Sequence, residues 1–184
     1  MKPGRPLDAV AVVAMLVLCA SWGLNQVAIK FAFADIPPFI QGALRSLGAM
    51  PVVIVAARLR GVSLFSRDGT LMAGLAAGTL FGLEFAFIYR GLVLTTASRG
   101  VVFVYTAPFF IALGARVFLH EWLSPAQWGG LALSFLGIVI AMGAPDPTVD
   151  ASVLMGDGLL IIGGVLWAAT TLVIKGTVLA AAPT

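Results

Sequence analysis

The run from Asp8 to Phe33 limits this chain more than any other. It is long and apolar enough to cross a bilayer, which takes about 20 mostly apolar residues, yet one side of it is polar. Trp22, Asn25, Gln26, Ile29 and Lys30 stand at offsets 0, 3, 4, 7 and 8. At about 100° per residue they share an arc of roughly 140°. Polar groups in hydrocarbon are costly, so this face is expected against protein or water. Trp22, Asn25, Gln26 and Lys30 are therefore candidate residues of a substrate or ion pathway. Helix packing by Trp22, hydrogen bonding to neighbouring helices by Asn25 and Gln26, and snorkelling of Lys30 to the surface are the plainer alternatives.

The pattern returns late in the chain. Trp22 to Lys30 reads W-G-L-N-Q-V-A-I-K, and Trp167 to Lys175 reads W-A-A-T-T-L-V-I-K. Trp, Ile and Lys match at the same offsets, which points to an internal duplication.

The composition agrees with a membrane protein. Residues are 60% hydrophobic and 10% charged, against about 25% charged in ordinary soluble domains. The chain reads as an all-α integral membrane protein with about six transmembrane helices. Spans are expected at 8–33, 38–57, 70–89, 99–118, 125–143 and 155–176. The net charge of +3 has a topological reading, because Lys and Arg mark the cytoplasmic side. No basic-aromatic patch suggests nucleic acid. Cys19 and His120 are the only Cys and His, so no metal-ligand cluster or His-based nucleophile is expected. No phosphate-binding loop is present. Neither a cofactor nor an enzymatic activity is expected.

Lys2 and Arg5, the 58–69 loop with Arg58, Arg60 and Arg67, and Arg116 are expected inside. The acidic loops with Asp35 and with Asp146, Asp150 and Asp157 are expected outside. This places the N-terminus in the cytoplasm. Arg90 and Arg99 flank an outside loop and run against the rule, which is a bias rather than a law. An odd number of spans between the two W-x7-K copies turns the second copy upside down, and inverted repeats are a known plan for secondary transporters.

Charges inside spans are the next candidates. Arg45 in the second span and Glu84 in the third are expected at similar depth, with Lys30 a little shallower, so the three can form one cluster. Charges at a helix centre cost about 2.5–3.5 kcal/mol each on insertion scales. In the functional reading Arg45 or Lys30 attracts an anionic substrate group while Glu84 titrates or pairs; the plainer alternative is a structural ion pair that locks three helices. Tyr105 stands beside Thr106 and Pro108, where Pro removes a backbone donor and gives a kink, a hinge or a cavity wall. Gly74, Gly78 and Gly82 form a small-residue row that suits close approach of another helix. Ser124 is placed to cap the fifth span, with Pro125 at its first position.

Several motifs in order carry a family likeness. They are Trp22-Gly23 with Lys30, Pro38-Phe39 with Arg45, Thr95-Thr96-Ala97-Ser98, and Tyr105-Thr106-Ala107-Pro108-Phe109-Phe110. Phe118 to Ser124, Gln127-Trp128-Gly129-Gly130 and Gly156-Asp157-Gly158-Leu159 follow. With these the chain resembles the EamA family of the drug/metabolite transporter superfamily. His120 departs from that pattern, standing where the family usually has Gly before Glu, and a local change in the turn is expected. The resemblance implies the first half of a ten-helix inverted-repeat transporter fold. It divides the chain into a first five-helix repeat at 1–144, an extracytoplasmic linker at 145–154 and the first helix of an incomplete second repeat at 155–184. It implies a secondary carrier, or a fragment of one, that moves a small metabolite, anionic or zwitterionic, through a central cavity in a bacterial inner membrane. Its partners are the lipid bilayer, the metabolite and, if the chain is truly this short, a further copy in a homo-oligomer. The alternative is a helical membrane scaffold that transports nothing.

Overall fold

The computed structural model describes residues 9–62, 69–142 and 149–181. Lys2, Arg5, Arg67, Asp146 and the side chain of Gln26 lie outside the described residues. The rest is helical, with no strand among the described residues. The helices are α1 (Ala9–Ala32), α2 (Pro38–Leu59), α3 (Leu71–Leu94), α4 (Ala97–Val104), α5 (Ala107–Phe118), α6 (Pro125–Met142) and α7 (Ala151–Gly176), and a short 3-10 turn, Val178–Ala181, follows. By length and composition α1, α2, α3, the α4–α5 pair and α7 are able to cross a membrane, and α6 is a shorter apolar helix. The all-α membrane architecture is borne out.

Two boundaries differ from expectation. The third span does not stop at 89. Gly91, Leu92, Val93 and Leu94 continue α3, because Gly91 and Leu92 are buried, and Arg90 rides on its exposed side. The last span starts at Ala151, because Asp150 caps it by accepting from the Val153 N–H at 2.9 Å. That bond, and another from the Ser152 hydroxyl, hold the Asp150 carboxyl below the usual carboxylate range. At α6 the expected cap is present and reciprocal. The Gln127 N–H donates to Ser124 Oγ at 3.3 Å, and the Ser124 N–H donates to Gln127 Oε1 at 2.8 Å.

The fourth span is broken. α4 ends at Val104, Tyr105 and Thr106 leave the helix, and α5 restarts with Pro108 at its second position. The Phe103 carbonyl accepts from the Thr106 N–H at 3.3 Å and from the Thr106 hydroxyl at 2.6 Å. Irregular backbone at membrane depth must be covered by protein or line a cavity. Here Gly164 of α7 covers it. A Cβ on Gly164 would sit 3.2 Å from both Thr106 Oγ1 and the Val104 carbonyl oxygen.

α7 is the centre of the molecule. It packs on α3, α5 and α4, and 33% of its membrane window is buried within the protein, against none of α2's. Glycines let the backbones close on it: Gly91 of α3 meets Gly156, and Gly163 meets Ile88. The core is Ile29, Ile88, Tyr89, Leu92, Val104 and Leu160. The glycine row at 74, 78 and 82 plays no part in this closure. No heavy atom of the described residues lies within 4 Å of a Cβ built on any of the three, because α3 turns its Glu84–Ile88–Gly91 side to α7 instead. The apolar surfaces of α1 and α2 are largely exposed, as suits contact with the lipid bilayer.

α1 and α7 run antiparallel. Trp22 stacks on Trp167, with ring centroids 6.1 Å apart and an interplanar angle of 27°. Further along α1, Lys30 reaches Thr95, which bonds Asp157 near the start of α7. The two matched Trp residues thus lie side by side, and their Lys residues point to opposite ends.

Candidate functional site

The residues singled out in the sequence fall into three groups. The first is a polar network at the end of the molecule where α3 stops. Lys30 donates to the Thr95 carbonyl oxygen. The Thr95 hydroxyl donates to Asp157 Oδ1 at 3.2 Å. Arg99, just past the Thr96 cap of α4, reaches the same carboxylate with Nε at 3.2 Å and closes an ion pair through Nη2. Asp157 is 4% exposed, and a buried charge survives when it is paired and hydrogen-bonded. This explains why Arg99 ran against the orientation rule: its charge is tied to an acid in the same protein. Asp157 and Arg99 were missed as partners because 58 residues separate them.

The second group is aromatic. Trp22 and Trp167 stack, and the half-buried Tyr105 meets the Trp167 ring edge-on, with centroids 6.2 Å apart. Tyr105 is free to take this position because it sits in the break between α4 and α5. Asn25, one turn beyond Trp22 on α1, is half-buried.

The third group lies between α2 and α3. Arg45 holds its guanidinium 3.6 Å from the centroid of Phe85, within cation–π range. Phe39, Phe81, Ser46, Gly42 and Tyr89 complete an open cavity of about 210 Å³. Glu84 is only 3% exposed, and among the described residues its Oε2 has no hydrogen-bond partner, as is also true of the Tyr89 hydroxyl. Among the described residues Glu84 makes no ion pair with Arg45 or Lys30. The expected three-charge cluster is therefore not assembled in this conformation. Lys30 joins the first group, while Arg45 and Glu84 stay neighbours without touching as ions.

A second cavity, of about 540 Å³, opens at the far end of α7. Pro108, Ile111, Trp122 and Leu131 form its apolar wall, and an ion pair between Lys175 and Glu121 forms its rim. Both side chains are 50% exposed. Arg116 lies 4.3 Å from the Trp122 ring centroid. The turn that carries Glu121 places His120 at φ 55°, the left-handed conformation that glycine favours. The histidine adopts the glycine-like backbone, and the Glu121 N–H returns to the Ala115 carbonyl at 3.1 Å. The repeated W-x7-K pattern contained a signal for Lys175, yet the ion pair at its end went unread.

Comparison with known proteins adds the family. The model of the EamA-like transporter family matches residues 9–143. The uncharacterized transporter YoaV of Bacillus subtilis is 26% identical over 79% of this chain and 50% of its own length. A probable amino-acid metabolite efflux pump of Salmonella typhimurium is 34% identical over 70% of this chain and 42% of its own. The riboflavin transporter of Rhizobium johnstonii is 34% identical over 46% of this chain and 27% of its own. A solved crystal structure superposes with a TM-score of 0.62 at 23% identity, over 82% of this chain and 55% of that one, a likeness that concerns the fold alone. The chain thus spans about half the length or less of these curated relatives. Matched across more than half its residues and built of the membrane helices described above, this chain is a multi-pass membrane protein that belongs to the EamA-like transporter family.

Proposed function

We propose that this protein works as a secondary carrier of a small metabolite, with its pathway running between two inverted repeats. In this reading residues 1–144 form the first repeat, 145–154 a linker on the outer side and 155–184 the start of the second. The observation that carries it is the antiparallel pairing of α1 and α7 through Trp22 and Trp167, equivalent residues of the two copies. The broken span beside them, with Tyr105 against Trp167, supports the same reading, since discontinuous helices line substrate sites in such carriers. Trp22, Asn25 and Tyr105 then face the pathway, Gln26 is a candidate by its place in the sequence alone, and Lys30, Arg45 and Glu84 are the ionisable groups. Arg45 favours an anionic or zwitterionic cargo, and the efflux-pump relative, named for amino-acid metabolites, agrees with that class. The bacterial sources of the relatives above support an inner (plasma) membrane as its home. Arg58, Arg60 and Arg116, which belong to ends on one side, support a cytoplasmic N-terminus.

The test is solute exchange in proteoliposomes, with protein expressed from its native reading frame and radiolabelled amino acids and organic acids as solutes. Exchange of at least one solute is expected, falling at least tenfold in Trp22→Ala and Arg45→Ala. No exchange of any solute, with the protein folded, would replace the carrier by the non-transporting helical scaffold.

A further inference from the structure

Glu84 is the fourteenth of 24 residues in α3, which puts it near mid-membrane. It is 3% exposed, and its Oε2 is buried without a donor. An ionised carboxylate in that position has one oxygen with neither water nor a hydrogen bond from the described residues, which favours the neutral acid. Arg45, the arginine in the interior of the neighbouring helix α2, does not supply the missing partner. Its guanidinium rests on the face of Phe85. The ring quadrupole is what that guanidinium uses here. Phe85 follows Glu84 in the chain, so the ring that holds the guanidinium and the carboxyl stand about 100° apart around α3. Arg45 and Phe85 both line the open cavity that holds Ser46 and Tyr89, which gives the guanidinium room to leave the ring.

The other elements packed on α3 leave this arrangement to itself. α7 presents the Gly163 backbone to the Glu84 carbonyl. Lys30 of α1, Arg99 of α4 and Asp157 of α7 are tied together near Thr95. Tyr89, five residues beyond Glu84, adds a second buried hydroxyl without a partner, and α2 adds Gln41, whose Oε1 is likewise unpartnered.

We propose that Glu84 is a proton-binding site and that Arg45 is its switch. With Arg45 on Phe85, Glu84 is a neutral carboxylic acid. When Arg45 leaves the ring and pairs with the carboxyl, Glu84 gives up one proton to water and becomes a carboxylate neutralised by the guanidinium. One proton leaves, one ion pair forms and no other group changes charge. Coupling of this exchange to solute movement rests on the carrier reading; the proton exchange itself does not.

The experiment is infrared difference spectroscopy of the reconstituted protein across a pH series, in ordinary and heavy water. A protonated-carboxyl C=O band present at neutral pH is expected, lost in Glu84→Gln and kept in Asp157→Asn. In Arg45→Gln the band is expected to persist to higher pH by about one unit or more, since an opposite charge within reach moves a carboxyl by about 1–3 units. Glu84→Gln imitates the neutral acid, so its melting temperature is expected to equal that of the parent. A band unchanged by Glu84→Gln, a midpoint unmoved by Arg45→Gln, or a melting temperature lowered by Glu84→Gln would each overturn the proposal. The readout is a vibration and needs no transport, so a protein that moves no solute still reports on Glu84.

Discussion

Gly91 and Gly156 meet where α3 crosses α7, and replacing Gly91 by Ala tests whether that crossing holds the protein together. The new Cβ would fall 2.8 Å from the Gly156 carbonyl oxygen and 2.8 Å from Leu160 Cγ. Ordinary contact begins at 3.4 Å, so the helices must part by about 0.6 Å. The first obstacle is backbone and cannot rotate away. A gap of roughly 0.5–1 Å forfeits about a quarter to a half of the dispersion energy at each affected contact, and overpacking of this kind costs about 1–3 kcal/mol. The Ala itself returns about 1 kcal/mol of helix propensity. Gly78→Ala is the matched control on the same helix, with no described heavy atom within 4 Å of its Cβ, so it receives the propensity term alone. Denaturation of the purified protein in detergent, followed by circular dichroism, is expected to place Gly91→Ala about 1–3 kcal/mol below Gly78→Ala. Equal midpoints for the two variants would show that the α3–α7 crossing is looser than described and would refute the argument.

Two further outcomes follow from the charged network and the turn. Asp157→Asn leaves the Arg99 guanidinium, whose side chain is only 18% exposed, without its counter-ion, and a loss of about 3 kcal/mol is expected. The Arg99→Gln, Asp157→Asn double variant is expected to lose less than the two singles together, and strict additivity would deny the pairing. His120→Gly removes left-handed strain worth about 1–2 kcal/mol and adds about 0.5–1 kcal/mol of chain entropy. It should therefore raise stability by about 0.5–1 kcal/mol in the same assay, while His120→Ala, still strained, should not. A drop on His120→Gly would sink that reading.

Local features of the chain were legible because their causes are local. The apolar runs marked the spans, Ser124 and Pro125 marked the start of α6, and Pro108 marked the interruption of the fourth span. The polar arc of α1 identified Lys30, and the matched offsets led to Trp167. What stayed hidden depends on which side of a helix faces which neighbour. Gly74, Gly78 and Gly82 look like the packing face of α3, but that face is open, and Gly91 carries the crossing. The spacing of seven between Gly156 and Gly163 on α7 was the available sign. The equal depth of Arg45 and Glu84 was readable from span lengths; the preference of Arg45 for a ring one residue away was not, since rotamers leave no trace in spacing.

The cover that Gly164 places over the broken span has a consequence for biogenesis. α4 and α5 leave the ribosome well before α7, and until α7 arrives the backbone around Val104 and Thr106 lacks the surface that shields it in the finished protein. α3 likewise lacks the helix against which it buries Gly91 and Ile88. Insertion of the early helices and their consolidation are thus separate events, and the second waits for the helix that carries Trp167. A ribosome paused before α7 holds membrane-inserted segments that have not yet become a fold.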